Sequence, residues 1–396
     1  MKIICTAFTC TCLLLLCSCT TTPHSSAIIP ASELPADVTM NKDAGRGNLL
    51  FVTLWLESGE ELPFVVDTGA TSTLIDKSLK PKLGKRRGTT TAASWDGVKH
   101  KVDLYVTPKL YLGSTPLMTH SEIWINDLKP LSSKAGRPIM GILGMDCLRH
   151  YCIQLDFEAW KMRFLDPDHV NAAQQGKTFP LTFRWGCPCI QHIGLLGGTS
   201  TNLLIGIDTG HRPDGALESR LFREVREQRL RLEGDAVNGQ DSGRVWFSKC
   251  VWDGESYTNL LIGNGGNFIG NVIGLGFLAR HLVTFDFPRR TMYLNQTSVG
   301  PLVDENMEAA AEFFKALKEK DQLPGWSKND KGTIYLEPYP NFEAFDGRKN
   351  GDSSTYHYQV DRASESSPWK LQKAWRTDTN DCLIKEYLVP QETHQR

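Results

Sequence analysis

Residues 62–76 of the chain read LPFVVDTGATSTLID. An apolar run carries a carboxylate, Asp67, onto a tight corner formed by Thr68 and Gly69. A buried strand that ends on an acidic residue at such a corner is typical of one half of a two-carboxylate site. The other half must lie elsewhere in this chain, on a second copy of the chain, or nowhere.

A second corner of the same kind occurs later in the chain. Residues 202–218 read NLLIGIDTGHRPDGALE, and an apolar run again leads into Asp208, Thr209 and Gly210. Before each corner, an apolar stretch, a polar turn and another apolar stretch follow one another. This pattern predicts a β-hairpin whose second strand ends on the aspartate.

A further block of sequence is also repeated. Residues 140–165 (MGILGMDCLRHYCIQLDFEAWKMRFL) resemble residues 271–294 (NVIGLGFLARHLVTFDFPRRTMYL). Gly144, Leu148, Asp156 and Met162 each recur 130 residues further on. A constant offset over a whole block indicates an internal duplication. The chain therefore contains two copies of a β-rich lobe.

Between the corner and the later block, each half contains a turn that favours a hairpin. These turns are Trp95-Asp96-Gly97 in the first half and Asn238-Gly239 in the second. Trp95, Gly97 and Gly239 are therefore candidates for flaps that close over a substrate. The alternative for Trp95 is a partly exposed aromatic side chain at an ordinary turn.

The two corners, each followed by an apolar-apolar-Gly segment (142–144 and 272–274), resemble the pepsin and retropepsin families of aspartic proteases. The resemblance implies a mainly β, bilobal acid-protease fold with retropepsin-like barrel lobes at residues 45–170 and 177–298. It implies Asp67 and Asp208 as the catalytic pair, supported by Thr68, Gly69, Thr209 and Gly210. It also implies a peptide or protein substrate, bound as an added strand, and no cofactor.

Two adjacent carboxylates suit peptide hydrolysis because they can act as acid and base together. Like charges about 3 Å apart cannot both ionise, so the pair shares one proton. One carboxylate then takes a proton from water while its protonated partner donates to the substrate carbonyl. This chemistry requires no covalent intermediate and no metal.

The second corner departs from the family pattern. His211 and Arg212 follow it where small or hydroxyl residues are usual. A His211 side chain directed at the pair would favour ionised carboxylates or block the cleft, leaving an inactive module that binds extended peptides or envelope proteins. The simpler expectation is that His211 turns out to solvent. A third arrangement pairs lobes from two chains, but the fused second copy favours a monomer.

The N-terminus predicts export. Lys2 precedes an apolar run that ends in small residues, as in a signal peptide over residues 1–19. The sequence before Cys19 resembles a bacterial lipoprotein box, which predicts lipidation at Cys19 and anchoring to a cell-envelope membrane, on its periplasmic or extracellular face. Residues 20–44 would form a tether. A plain cleaved signal and a spanning signal anchor are the alternatives.

The rest of the sequence limits other classes of function. Forty-four basic and 45 acidic residues give a net charge of −1, and no basic cluster indicates nucleic-acid binding. Cys187 and Cys189 lack the spacing of a metal or redox pair, so we interpret them as structural or disulfide-bonded. Residues 217–232 predict an amphipathic helix, and residues 301–396 predict a small α+β domain whose tryptophans lie in its core.

Overall fold

The computed structural model describes residues 29–93, 99–193, 202–233, 244–266, 270–303, 305–339, 342–349, 352, 354–362, 367–378 and 382–389. The chain divides into two compact units. The larger comprises residues 10–225 and 246–302, and the smaller consists mostly of residues 303–396. Both predicted corners belong to the larger unit.

The first half of the larger unit contains twelve of the described strands and two helices. The strands are β1 (Val38–Thr39), β2 (Phe51–Leu56), β3 (Glu61–Val66), β4 (Leu74–Asp76), β5 (Arg86–Ala93), β6 (Lys99–Val106), β7 (Leu110–Leu112), β8 (Thr115–Pro116), β9 (Glu122–Asn126), β10 (Gly141–Leu143), β11 (Cys152–Asp156) and β12 (Lys161–Leu165). The helices are α1 (Lys129–Ala135) and α2 (Met145–Leu148).

The second half repeats this plan with a longer helix and fewer described strands. The strands are β13 (Lys177–Arg184), β14 (Cys187–Ile193), β15 (Asn202–Asp208), β16 (Gly215–Leu217), β17 (Arg244–Trp252), β18 (Glu255–Asn264), β19 (Asn271–Gly274), β20 (His281–Asp286) and β21 (Thr291–Gln296). The helices are α3 (Ser219–Glu233) and α4 (Leu275–Leu278). The helix predicted over residues 217–232 is therefore confirmed as α3.

The two lobes share one strand order, which confirms the predicted duplication. In the first lobe, strands β2, β3, β10, β4 and β9 are successive neighbours; in the second, strands β14, β15, β19, β16 and β18 take the same places. In each lobe the strand that leads to the corner pairs in parallel with the strand of the apolar-apolar-Gly segment. A strand between such neighbours is buried on both faces, which explains the continuous apolar runs.

A six-stranded sheet joins the lobes and gives them pseudo-twofold symmetry. Strands β1, β12 and β11 of the first half continue into β20, β21 and β13 of the second. At the centre of this sheet Gln154 pairs with Thr284, its own equivalent at the offset of 130. A residue that pairs with its own equivalent lies on the symmetry axis. The lobes are therefore related within a single chain, as the fused duplication predicts.

The predicted C-terminal bound of the tether is corrected, and the two predicted hairpins are described in part. The predicted tether ends before β1, because Val38 pairs with Met162 and the side chains of Met40 and Ala44 are buried in the fold. The second lobe contains a hairpin, β17–β18, that turns at Asp253–Gly254, whereas the predicted Asn238-Gly239 turn lies outside the described residues and stays a prediction. The first lobe does contain the predicted hairpin, β5–β6, which is paired up to Ala93 and Lys99.

The smaller unit is an α+β domain, as predicted. Its elements are α5 (Glu305–Glu319), β22 (Gly332–Tyr339), β23 (Phe342–Lys349), β24 (Thr355–Asp361), β25 (Lys370–Thr377) and β26 (Leu383–Tyr387). The five strands form an antiparallel meander, and one face packs on α5 around Phe314 and Tyr358. Trp326 lies in this core, whereas Trp375 stacks on His357 and is only partly buried. Among the described helices of the chain, none is long and apolar enough to cross a membrane.

Candidate active site

Each corner is held in position by the strand that precedes it and by the segment that packs behind it. The amide of Asp67 donates to the carbonyl of Leu143 (3.1 Å), which extends the β3–β10 pairing onto the corner itself. Asp208 pairs in the same way with Gly274 at the end of β15 and β19. Because both strands are rigid and buried, the positions of the two aspartates are set by the lobe cores.

The two glycines of the corners are required by the carboxylates of the opposite lobe. A Cβ atom on Gly69 would lie 2.5 Å from Cγ of Asp208. A Cβ atom on Gly210 would likewise lie 2.5 Å from Cγ of Asp67. Real Cβ atoms do not come this close to other atoms, so any larger residue would push the carboxylates out of place. The corners therefore face each other across the lobe boundary, with Asp67 and Asp208 at the centre.

The side chains of Thr68 and Thr209 form hydrogen bonds across the boundary between the lobes and hold the two corners together. Thr68 Oγ1 donates to the carbonyl of Ile207 (2.7 Å) and accepts from the amide of Thr209 (3.0 Å). Thr209 Oγ1 donates to the carbonyl of Val66 (2.8 Å) and accepts from the amide of Thr68 (3.0 Å). These four buried bonds satisfy backbone groups of both lobes, which fixes the distance and angle between the corners.

The two carboxyl groups are buried, and their surroundings change the pKa of Asp67. Asp67 and Asp208 are 3% and 2% exposed, and each carboxyl group lies against the corner glycine of the opposite lobe. Burial, and then the negative charge of Asp208, raise the pKa of Asp67 well above its ordinary value, although the amides of Gly69 and Ala70 donate to it. A proton therefore remains on the pair at a pH where a lone exposed aspartate would have lost it. Such a pair can supply both an acid and a base.

The expectation that His211 turns out to solvent is wrong. The side chain is only 6% exposed, and its ring packs so closely on Gly274 that a Cβ atom there would lie 2.6 Å from Cδ2. Neither ring nitrogen has a hydrogen-bond partner among the described residues. Burial lowers the pKa of His211, although the charge of Asp208 opposes this change. His211 is therefore a neutral group packed behind the second corner at neutral pH.

Each corner is stabilised by a buried carboxylate, but the two lobes supply this carboxylate from different positions of the repeated sequence. In the first lobe the amide and hydroxyl of Thr73 both donate to Asp146 (2.7 Å each). In the second lobe Asp214 occupies the position of Thr73, and Gly276 that of Asp146. Asp214 there accepts two hydrogen bonds of 2.9 Å from Arg280, whose side chain is fully buried. Both lobes thus have a buried carboxylate beside the corner, although it stands at a different one of the two equivalent positions in each lobe.

Sequence reasoning missed the role of Cys187. Its thiol is buried and donates to the carbonyl of Gly69 (3.1 Å), directly beside the first corner. Burial, and then the charges of Asp208 and Asp67, raise its pKa well above the ordinary value. Cys187 and Cys189 are free thiols in the structure. Strand pairing within the second lobe could not have predicted this contact, because it joins residues of different lobes that lie 118 positions apart in the sequence.

Four of the predicted site residues lie outside the part of the chain that the structure describes. They are the flap candidates Trp95, Gly97 and Gly239, and the lipidation candidate Cys19. Their roles remain predictions. The six corner residues are all described, and the structure brings all six together.

Comparisons with known proteins agree with the geometry of the first lobe. Residues 52–147 match the family model described as aspartyl protease. This segment contains the first corner and strands β3 to β10 of the first lobe. The crystal structure of basic 7S globulin from soybean matches at a TM-score of 0.45 and 12% identity, over 67% of this chain and 96% of that chain. That likeness is too low to bear on function. No curated protein sequence matches this chain.

Proposed function

We propose that the protein is an aspartic endopeptidase that hydrolyses peptide bonds with water activated between Asp67 and Asp208. The observation that carries the proposal is the pair itself: two buried carboxyl groups at facing corners that the hydroxyl groups of Thr68 and Thr209 hold together. The shared proton makes one carboxyl group the acid and the other the base. The ionised group takes a proton from water, while the protonated group donates to the carbonyl oxygen of the substrate.

We further propose a monomeric protein that is exported and lipid-anchored at Cys19 to a bacterial envelope membrane. A single chain contains both corners, which supports the monomer. The support for the anchor is the N-terminal sequence alone. In this setting the substrates are peptides or proteins that reach the outside of the membrane.

The test is cleavage of a peptide library by a soluble protein that begins at residue 20, compared with Asp67→Asn and Asp208→Asn over a range of pH. We expect the wild type to cleave and each variant to lose at least about a thousandfold in rate, because each removes half of the acid–base pair. Activity that survives in Asp208→Asn would contradict the pair.

The stability of Asp67→Asn provides the control for folding. The pKa of Asp67 is raised in the folded state, so the folded protein binds this proton more tightly than the unfolded chain does. The carboxyl group therefore costs stability as the pH rises through its folded pKa. The amide carries no such cost, so Asp67→Asn should unfold at a denaturant concentration at least as high as that of the wild type at neutral pH.

The second candidate function is an inactive module that binds extended peptides. The burial of His211 behind the second corner favours it, because no small or hydroxyl residue stands there. A wild type that binds library peptides but cleaves none at any pH would support this function over the protease.

A further inference from the structure

The hairpin β13–β14 ends in a strained turn that bears a large exposed side chain. Arg184 pairs with Cys187, so Trp185 and Gly186 alone form the turn, with φ angles of 51° and 86°. Positive φ at both positions is the two-residue turn that favours Asn, Asp or Gly. Tryptophan in this conformation is strained, and such strain tends to persist where a side chain has a function.

This turn lies against the first corner. A Cβ atom on Gly186 would be 3.8 Å from the methyl group of Thr71, four residues after Asp67. Next along the strand, the thiol of Cys187 donates to the carbonyl of Gly69. The second lobe therefore extends the tip of one hairpin to the rim of the carboxyl pair, and Trp185 stands at that tip.

Trp185 is held in an open position rather than folded into the core. Its side chain is 51% exposed, and the guanidinium of Arg184 lies 3.9 Å from the ring centroid. A cation over an aromatic face stabilises the ring by about 0.5–1 kcal/mol at an exposed site. Arg184 thus orients the ring while a large apolar surface stays accessible at the tip of the hairpin.

We propose that Trp185 determines the substrate specificity of this site, by contact with an apolar or aromatic side chain close to the scissile bond. This inference rests on the proposed function, because it assumes that peptides bind at the carboxyl pair. An extended peptide is held mainly through its backbone, so selection among peptides depends on a few side-chain contacts of this kind. The exposed ring, oriented by Arg184 at the rim of the pair, provides one such contact.

The chain offers a matched control. Trp160 also occupies a hairpin turn at positive φ (54°), between β11 and β12, and also lies under a cation, Lys42 Nζ at 4.5 Å. Its hairpin belongs to the sheet that joins the lobes and not to a corner. Trp160→Ala therefore removes the same kind of side chain from a hairpin turn, here one of four residues, that is remote from the corners.

The experiment profiles the positions of cleavage in a peptide library for the wild type, Trp185→Ala, Trp185→Phe and Trp160→Ala. We expect the wild type and Trp160→Ala to prefer an apolar or aromatic residue at one position near the cut. Trp185→Ala should lose this preference, with kcat/KM reduced about tenfold to a hundredfold for apolar peptides and little changed for small ones. Trp185→Phe should restore most of it. An unchanged preference in Trp185→Ala, or an equal loss on every peptide, would overturn the inference.

A binding measurement separates this inference from the proposed function. The same library is passed over immobilised Asp208→Asn protein, with and without Trp185→Ala. If no protein cleaves but apolar peptides are retained only while Trp185 is present, the protease proposal fails and the assignment of Trp185 stands. Equal retention by both proteins overturns the assignment whether or not the wild type cleaves.

Discussion

The Cα atom of Gly210 lies against the carboxyl group of Asp67, and this contact makes a prediction at the scale of one residue. In Gly210→Ala the new methyl group would meet Asp67 at 2.5 Å, so the carboxyl pair must move apart. We expect a loss of about a hundredfold in kcat, since displacement of reacting groups by about 1 Å has an effect of this size. Steady-state cleavage of one library peptide measures it.

Gly84→Ala is the control for this substitution. A Cβ atom there meets only Val106, at an ordinary 3.4 Å, and the backbone needs no positive φ. Its activity should equal that of the wild type. Full activity in Gly210→Ala would mean that the carboxyl groups tolerate a wider spacing than the structure has.

A second residue-scale prediction concerns pH and His211. Burial lowers the pKa of His211. Below the ordinary pKa of 6.5, the side chain therefore binds a proton in the unfolded chain but not in the folded protein. The free energy of unfolding should therefore fall as the pH decreases through this range. The charged groups that act on the ring are Asp208 and Asp214, which favour the proton, and Arg212, which opposes it.

The substitution His211→Ala should remove the part of this pH dependence that comes from His211. Urea unfolding at about pH 7.5 and about pH 5 should show a smaller loss of stability in the variant than in the wild type. Some loss should remain, since burial lowers the pKa of His281 to about 4 in both proteins. Alanine fits the corner, because Ala70 occupies the equivalent place in the first lobe. Identical pH dependence in the two proteins would show that His211 is hydrated in solution.

At the scale of elements, the corner strands depend on each other through the two threonine hydroxyls. Thr209→Val would leave the carbonyl of Val66 and the amide of Thr68 buried without their partner. We expect a cost of about 1–3 kcal/mol for each group, with a matching loss of activity. Denaturant unfolding measures the cost. Thr209→Ser keeps the hydroxyl and should retain most of the stability, so equal loss in both variants would point to packing rather than to hydrogen bonds.

The same scale shows why the sequence predicts some elements and not others. The strands of the corners were predictable because burial on both faces requires apolar runs, and duplication repeats those runs at fixed spacing. The orientation of His211 was not predictable, because the space for its ring is created by Gly274, far away in sequence.

For the whole molecule, the pseudo-twofold axis predicts that one chain is sufficient for activity. Gln154 and Thr284 pair across this axis and hydrogen-bond at 3.0 Å, so strands from both halves of one chain form the sheet that joins the lobes. Specific activity should therefore remain constant on dilution, whereas an enzyme assembled from two chains loses activity as its dimer dissociates.

Mixing two inactive variants tests the same point without relying on concentration. In a site shared between chains, Asp67→Asn mixed with Asp208→Asn would bring an intact Asp67 from one chain to an intact Asp208 from the other. We expect no activity to return, even after the mixture is unfolded and refolded together, because each chain closes on its own second lobe. Refolded wild type shows whether refolding succeeds. Recovered cleavage in the mixture would mean that the lobes exchange between chains, and the crossed hydrogen bonds of Thr68 and Thr209 would then form an interface between two molecules.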